Sequence, residues 1–278
     1  MSAARESRSL RDAAAVDPLG PGRFEADISD DYTVVGHPNG GYLQCLLANA
    51  ALAAASEEGS AHVHATAVTT NYVTAPNVGP VELRTSVRRV GRSVSFVHVE
   101  LVQDSSVTTE SLVTLGTLSD TPQVRYRHAG VPILAPLDQC VARTVVEEIK
   151  LMQVVDFRLD PAAATWLDGG RSDLGEVKGW LRLNDGAGVW DAWSLHFAGD
   201  GLPPATFPLG SSGWVPTLQL TSYVHQQPVG EWLRARQWCV VITDGVVEER
   251  CELFDARDQL VATSSQLAMV RFAARDAT

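Results

Sequence analysis

The chain has 278 residues, enough for one large domain or two of ordinary size, and its 45% hydrophobic, 20% charged composition is that of a globular protein. Its net charge of −11 argues against general nucleic-acid binding, which needs basic patches to neutralise phosphates, but leaves room for a small anionic ligand held by a local basic cluster. No apolar run approaches a membrane span, and the polar start "MSAARESRSLRDAAAVDPLG" lacks a signal-peptide core, so a cytoplasmic protein is expected.

Residues 1–21 read as an N-terminal extension, its first ~15 residues mobile or lightly docked. A short strand, "RFEADIS", follows Gly22. Next comes "HPNGGYLQCLLANAALAAA", residues 37–55, where only Gln44 and Asn49 interrupt an apolar body. A surface helix has one polar face, so a helix apolar all round belongs inside the fold. Gly40 and Gly41 bring backbone N–H groups to its positive end, which suits an anion or a developing oxyanion; a tight entry turn or close packing would need the same glycines. Strand-like runs follow: "HVHATAVTTNYV", "VELRTSVRRV", "SVSFVHVELV" and "SVTTESLVTLGTL", parted by "PNVG", "VGR" and "QDSS". Residues 120–147 read as a linker between units 22–119 and 148–278.

The second unit repeats the order. "GEVKGWLRLNDG" is a strand, and "VWDAWSLHFAGDGLPPATF" is a helix ended by Pro203 and Pro204. Then come "WVPTLQLTSYVHQ", "EWLRARQWCVVI", "VVEERCELFDA" and "QLVATSSQLAMVRF". "TTNYV" matches "LTSYV", "VGPVELR" matches "VGEWLR", and "VELVQD" resembles "CELFDA". Tyr72 and Tyr223 are 151 residues apart, Val78 and Val229 are 151 apart, and Glu100 and Glu252 are 152 apart. A near-constant offset across three strands points to an internal duplication. A central apolar helix wrapped by an antiparallel sheet, twice over, is an α+β double hot dog, the intramolecular version of a two-fold dimer. The two sheets would join edge to edge, which removes an exposed edge from each.

The four cysteines lie far apart without a C-x-x-C pair, which is no zinc or redox signature, and Cys45 falls in the apolar helix. There is no G-x-S-x-G, H-E-x-x-H, P-loop or G-x-G-x-x-G. That removes serine-hydrolase, zincin and nucleotide-dependent readings.

"HPNGG" before a buried helix, "RRVGRSVSFVHVELVQD" and the closing "FDARDQLVATSSQLAMVRF" resemble the double-hot-dog acyl-CoA thioesterase superfamily, from about Phe24 to Phe272. The resemblance implies hydrolysis of an acyl-CoA by activated water without metal or organic cofactor, and a homodimer or larger assembly. In single hot-dog relatives an H-G-G segment polarises the thioester carbonyl, and an acid on the opposite protomer's helix activates water or attacks. With the offset of 151, Gly41 corresponds to Ala192 and Asn49 to Asp200. The copies have therefore lost complementary halves, and one complete site combines Gly40 and Gly41 with Asp200. Asp200 reads equally as part of the "GDG" stop that ends a helix.

In the type II enzymes of the superfamily an Asp, a hydroxyl residue and a Gln orient the water. Their positions fall on Gln219, near Trp238 and Cys239, and on Gln266, whose counterpart in the first copy is Leu112. Two of the three depart from the pattern, which makes Asp200 the better acid–base candidate, assisted by Gln219 and Gln266. The expected substrate-binding residues are His37, Asn39, Tyr42, Asn49, Thr221 and Tyr223, with Arg89 and Arg92 as a phosphate grip in the densest basic stretch. Several have a plainer alternative: a helix cap at His37, a bridge between helices at Asn49, aromatic packing at Tyr223, a solvated hairpin at the arginines. A non-catalytic acyl-CoA binding protein is the rival reading. A hydratase built on Asp31 and His37 fits less well, because Gly-Gly stands where an acidic position is needed.

Overall fold

The computed structural model describes residues 7–142, 146–186 and 188–272; residues 1–6 of the expected extension lie outside them. The first copy contains α1 (Leu10–Ala13), β1 (Asp17–Gly20), β2 (Arg23–Ile28), β3 (Thr33–Val34), β4 (His37–Pro38), α2 (Gly40–Glu57), β5 (His64–Tyr72), β6 (Gly79–Val90), β7 (Ser95–Gln103) and β8 (Ser106–Gly116). The second contains β9 (Val141–Ala142), α3 (Leu151–Val154), β10 (Val155–Leu159), β11 (Glu176–Leu183), α4 (Leu195–Ala198), β12 (Thr217–Val224), β13 (Trp232–Thr243), β14 (Val246–Phe254) and β15 (Leu260–Met269).

Among the described residues one antiparallel sheet of 13 strands runs β1-β2-β6-β7-β8-β5-β12-β15-β14-β13-β11-β10-β9. Read outward from β5 and β12, the two halves mirror each other: β8 answers β15, β7 answers β14, β6 answers β13 and β2 answers β11. At the middle of the β5–β12 ladder Thr69 pairs with Thr221, 152 residues away, within one residue of the sequence offset. The double hot dog is therefore two duplicated sheets joined edge to edge, which leaves neither central strand with an open edge.

Alternation decides which strand residues face inward. On β7, Val97, Val99 and Leu101 are buried, and on β14 Val247, Cys251 and Leu253 are buried. Against the first copy lies α2, whose 18 residues are buried on nearly every side. Asn39 caps it, its Oδ1 accepting from the Tyr42 N–H at 2.9 Å. Gly59 stops it at φ +83°, in the left-handed region glycine adopts without strain. Gln44 ties the helix to the seam: its Nε2 donates to Leu220 O and Val68 O, and its Oε1 accepts from the Ser222 hydroxyl. Among the described residues no helix is long and apolar enough to cross a membrane.

Two expectations are corrected. The helix expected over residues 189–207 is a four-residue turn, α4, followed by an irregular stretch to Pro216. Gly199, Gly201, Pro203, Pro204, Pro208, Gly210 and Gly213 raise the cost of helix and remove its N–H donors. The described part of the extension, from residue 7 on, is also firmly docked. Leu10, Ala13 and Ala14 are buried, the Leu10 N–H donates to Asp185 at 2.7 Å, and Arg11 pairs with Asp191.

The β3–β4 hairpin turns on Val35 (φ +50°) and Gly36 (φ +77°). A β-branched residue is strained there, and Val35 is 53% exposed, so its side chain has little packing to lose. Val35→Asn is expected to raise the unfolding free energy by about 1 kcal/mol in a urea titration. A lower midpoint would contradict the strain.

Candidate active site

Where the second helix stops short, a cavity of about 670 Å³ opens beside the mouth of α2. Leu43, Ile149, Met152, Phe157, Leu202 and Phe207 make much of it apolar. Asn39, Gly40, Tyr72, Asp200, Thr217, Gln237 and Gln266 bring polar groups to it.

Asp200 follows α4 in the second copy, yet its partners are in the first. Its Oδ2 accepts from the Gly41 N–H at 3.0 Å and from Asn39 Nδ2 at 2.9 Å, and its carbonyl oxygen accepts from the same Asn39 Nδ2. This approach depends on bare glycines. A Cβ on Gly41 would lie 2.8 Å from His196 O and 2.9 Å from Phe197 O, and one on Gly40 would lie 2.8 Å from the Tyr72 hydroxyl. The Tyr72 hydroxyl donates to Gly40 O at 2.8 Å and closes that side of the mouth.

Burial pushes the Asp200 carboxyl up to about 6, against the downward pull of the Gly41, Asn39 and Gly40 donors. The group can therefore be ionised near neutral pH and still accept a proton. On the neighbouring strands Gln266 Oε1 accepts from the Thr217 hydroxyl at 3.0 Å. The base, a hydroxyl and an amide thus share one wall of a largely apolar chamber.

Models of the N-terminal and C-terminal domains of acyl-CoA thioesterase match residues 28–116 and 136–270. The chain belongs to the acyl-CoA thioesterase family. An uncharacterized protein of Mycobacterium tuberculosis is 28% identical over 267 residues, covering 89% of this chain and 90% of that one. A crystal structure from Thermobifida fusca YX, provisionally named a thioesterase II, superposes with a TM-score of 0.85 at 28% identity, covering 96% of this chain and 99% of that one. A hot-dog protein of unknown function from Alicyclobacillus acidocaldarius superposes at 0.81 with 20% identity, covering 95% and 98%, and shares the fold.

Within this thioesterase frame Gly40, Asn39, His37, Asp200 and Gln266 line the cavity, and Gly41 adjoins it through its N–H bond to Asp200. Their arrangement differs from expectation at one point: the Gly41 N–H holds the Asp200 carboxylate rather than facing open space. His37 stacks on Trp214 at the rim, ring centroids 4.0 Å apart.

Other expected residues are elsewhere. Gln219 pairs across the ladders with Asn71 and Leu267, on the face opposite buried Leu220, so it points away from the cavity. Thr221 shares that outer face and donates to Thr69 at 3.3 Å, and Tyr223 is exposed there too. Tyr42 is a core residue: its hydroxyl donates to Ala13 O and accepts from the Ser29 N–H. Asn49 Nδ2 donates to Ala14 O at 2.7 Å, a structural tether for the docked extension. Arg89, next to last in β6, and Arg92, two residues past its end, are exposed, and neither lines the cavity. Arg158, paired with Asp156 at 2.8 Å, is the one Lys or Arg among the described lining residues. Trp238 packs on Arg236 and Cys239 faces Glu249, so neither reaches the cavity.

Sequence reasoning missed Tyr72, Thr217 and Gln237. Gln237 carried a signal, since it stands in phase with buried Leu233 and Ala235 on β13. Tyr72 and Thr217 lie at strand ends, where alternation no longer says what a side chain meets.

Gly41→Ala is expected to push α4 from the mouth of α2 and lower stability by about 1–3 kcal/mol in thermal or urea unfolding. Wild-type stability would contradict the close approach. Asp200 also fixes a pH dependence. Its carboxyl is raised from 3.8 to about 6 in the folded state, so its contribution is full below pH 3.8 and is lost as pH rises through 6. Asp200→Asn should be more stable than the parent at pH 8, by about 2–3 kcal/mol at most, and should lose that advantage at pH 4. Equal stability at pH 8 would mean that the carboxylate is not desolvated.

Proposed function

We propose that this protein hydrolyses an acyl-CoA thioester to the free acid and CoA with water activated by Asp200. The observation that carries the reading is a desolvated carboxylate, held at the positive end of α2, on the wall of an apolar cavity. The acyl chain occupies the apolar part of the chamber. Asp200 takes a proton from a water molecule as the water oxygen bonds to the thioester carbon. The carbonyl bond re-forms as the C–S bond breaks, and the CoA sulfur leaves with the proton that Asp200 had taken. Gly41 and Asn39 serve this chemistry by orienting the base. Gln266 is retained as a water- or carbonyl-binding group; Gln219 is not, because it faces outward.

A second reading is a binding protein that holds acyl-CoA without cleaving it. It is favoured by one observation: the Gly41 N–H expected to hold the oxyanion is already engaged by Asp200.

The deciding experiment is free-thiol release from short, long and aromatic acyl-CoAs by the wild type and by Asp200→Asn. The wild type is expected to turn over at least one of them, with kcat/KM rising as pH increases through about 6 as the base ionises. The variant should lose about 10²–10⁴-fold. Turnover that survives the substitution would remove Asp200 as the base. Binding without turnover would establish the second reading.

A further inference from the structure

A second buried carboxylate lies behind the cavity wall. Glu249 is 1% exposed, midway along β14 and in phase with Val247, Cys251 and Leu253. Its Oε2 accepts from Gln266 Nε2 at 2.5 Å and from Gln237 Nε2 at 3.2 Å. The N–H groups of Ala205 and Thr206 also act on it. Burial pushes this carboxyl up, and the charge of Asp200 pushes the same way.

The first copy shows what the fold needs at these positions. Leu220 pairs with Gln266 as Val68 pairs with Val113, and Gln266 pairs with Glu249 as Val113 pairs with Val97. The counterparts of Gln266 and Glu249 are therefore Val113 and Val97, both fully buried, and not Leu112, which is 47% exposed on the outer face. Valines suffice where the sheet packs on α2. The polar pair occurs where the helix is missing and the cavity takes its place. A buried carboxylate costs several kcal/mol unless fully partnered, so packing alone does not account for it.

What the carboxylate does follows from donor and acceptor bookkeeping. A glutamine amide turned by 180° exchanges its donor for its acceptor. An ionised carboxylate only accepts, so it selects one orientation at each glutamine. Gln266 then presents Oε1 to the Thr217 hydroxyl and keeps a second Nε2 hydrogen. Gln237 has its Nε2 on Glu249 and Pro203 O, and its Oε1 meets no donor among the described residues.

We propose that Glu249 is a positioning residue: it locks the two cavity-lining amides so that Gln237 offers an acceptor for the attacking water and Gln266 a donor for the thioester oxygen. This rests on the hydrolase reading above. It also names an oxyanion donor for a site whose Gly41 N–H is engaged by the base.

Glu249→Met in the full chain keeps the volume and copies the apolar character of Val97. It is expected to lower kcat about 10–100-fold, as loss of an outer-shell partner does elsewhere, with KM changed less than threefold and the melting temperature kept or raised. The side-chain amide signals of Gln237 and Gln266, assigned in ¹⁵N spectra from single substitutions, should be dispersed in the wild type and collapse in the variant. Glu249→Gln, with one acceptor instead of two, should fall between and carries the test if the Met variant does not fold. Unchanged kcat, a loss that only follows reduced thermal stability, or amide signals that keep their wild-type positions would overturn the proposal. If the wild type cleaves no acyl-CoA, hydrolysis fails as a reading, and the amide signals alone decide whether Glu249 positions the pair.

Discussion

Among the described residues only one long helix lies under the paired sheets, and the site follows from that asymmetry. In the first copy α2 fills the concave side of β5–β8, and its apolar surface needs no polar face because none meets water. In the second copy glycines and prolines reduce the equivalent helix to one turn. The volume a second helix would have taken is divided between irregular chain and a cavity. The shortened α4 also brings Asp200 up to the mouth of α2, which a longer helix with side chains at positions 40 and 41 would prevent.

That contact sets the electrostatics. Removing the carboxylate from water favours the protonated form, whereas the Gly41, Asn39 and Gly40 donors and the helix dipole favour the charged form. Desolvation wins by enough to place the group near 6, without keeping it protonated at neutral pH. The glycines matter twice over: they allow the approach, and one of them supplies the amide that holds the carboxylate. Asn49, the first-copy counterpart of Asp200, is bonded to Ala14, and the docked extension packs over that region. The duplication has thus kept the frame of a two-fold dimer while giving each half a different task.

The same division appears in single ladder positions. Val97 and Val113 press on a helix, and their counterparts Glu249 and Gln266 stand behind a cavity. Buried polar groups are costly next to apolar neighbours and tolerable only as a fully connected set. Here the set runs from Thr217 through Gln266 and Glu249 to Gln237, with backbone donors on Glu249 and the Gln237 Oε1 left without a donor among the described residues.

Much of the fold was legible in the sequence because it is written in local and periodic terms. Strand alternation, the unbroken apolar body after Gly41 and the offset between Tyr72 and Tyr223 each need only neighbouring residues or one comparison within the chain. That Gly41 and Asp200 lie together was legible too, though not their direct bond, since the offset showed each copy retaining what the other lacked. The tertiary structure alone decided the rest. The length of the second helix depended on accumulated glycine and proline costs that a short apolar pattern conceals. The facing of Gln219 depended on strand register, where a shift of one residue reverses every side chain. That Arg89 and Arg92 lie away from the cavity depended on where the sheet places β6, which the basic stretch itself does not encode. The partner of the Gly41 N–H depended on how closely two backbones approach, a contact between residues 159 positions apart that no local pattern encodes.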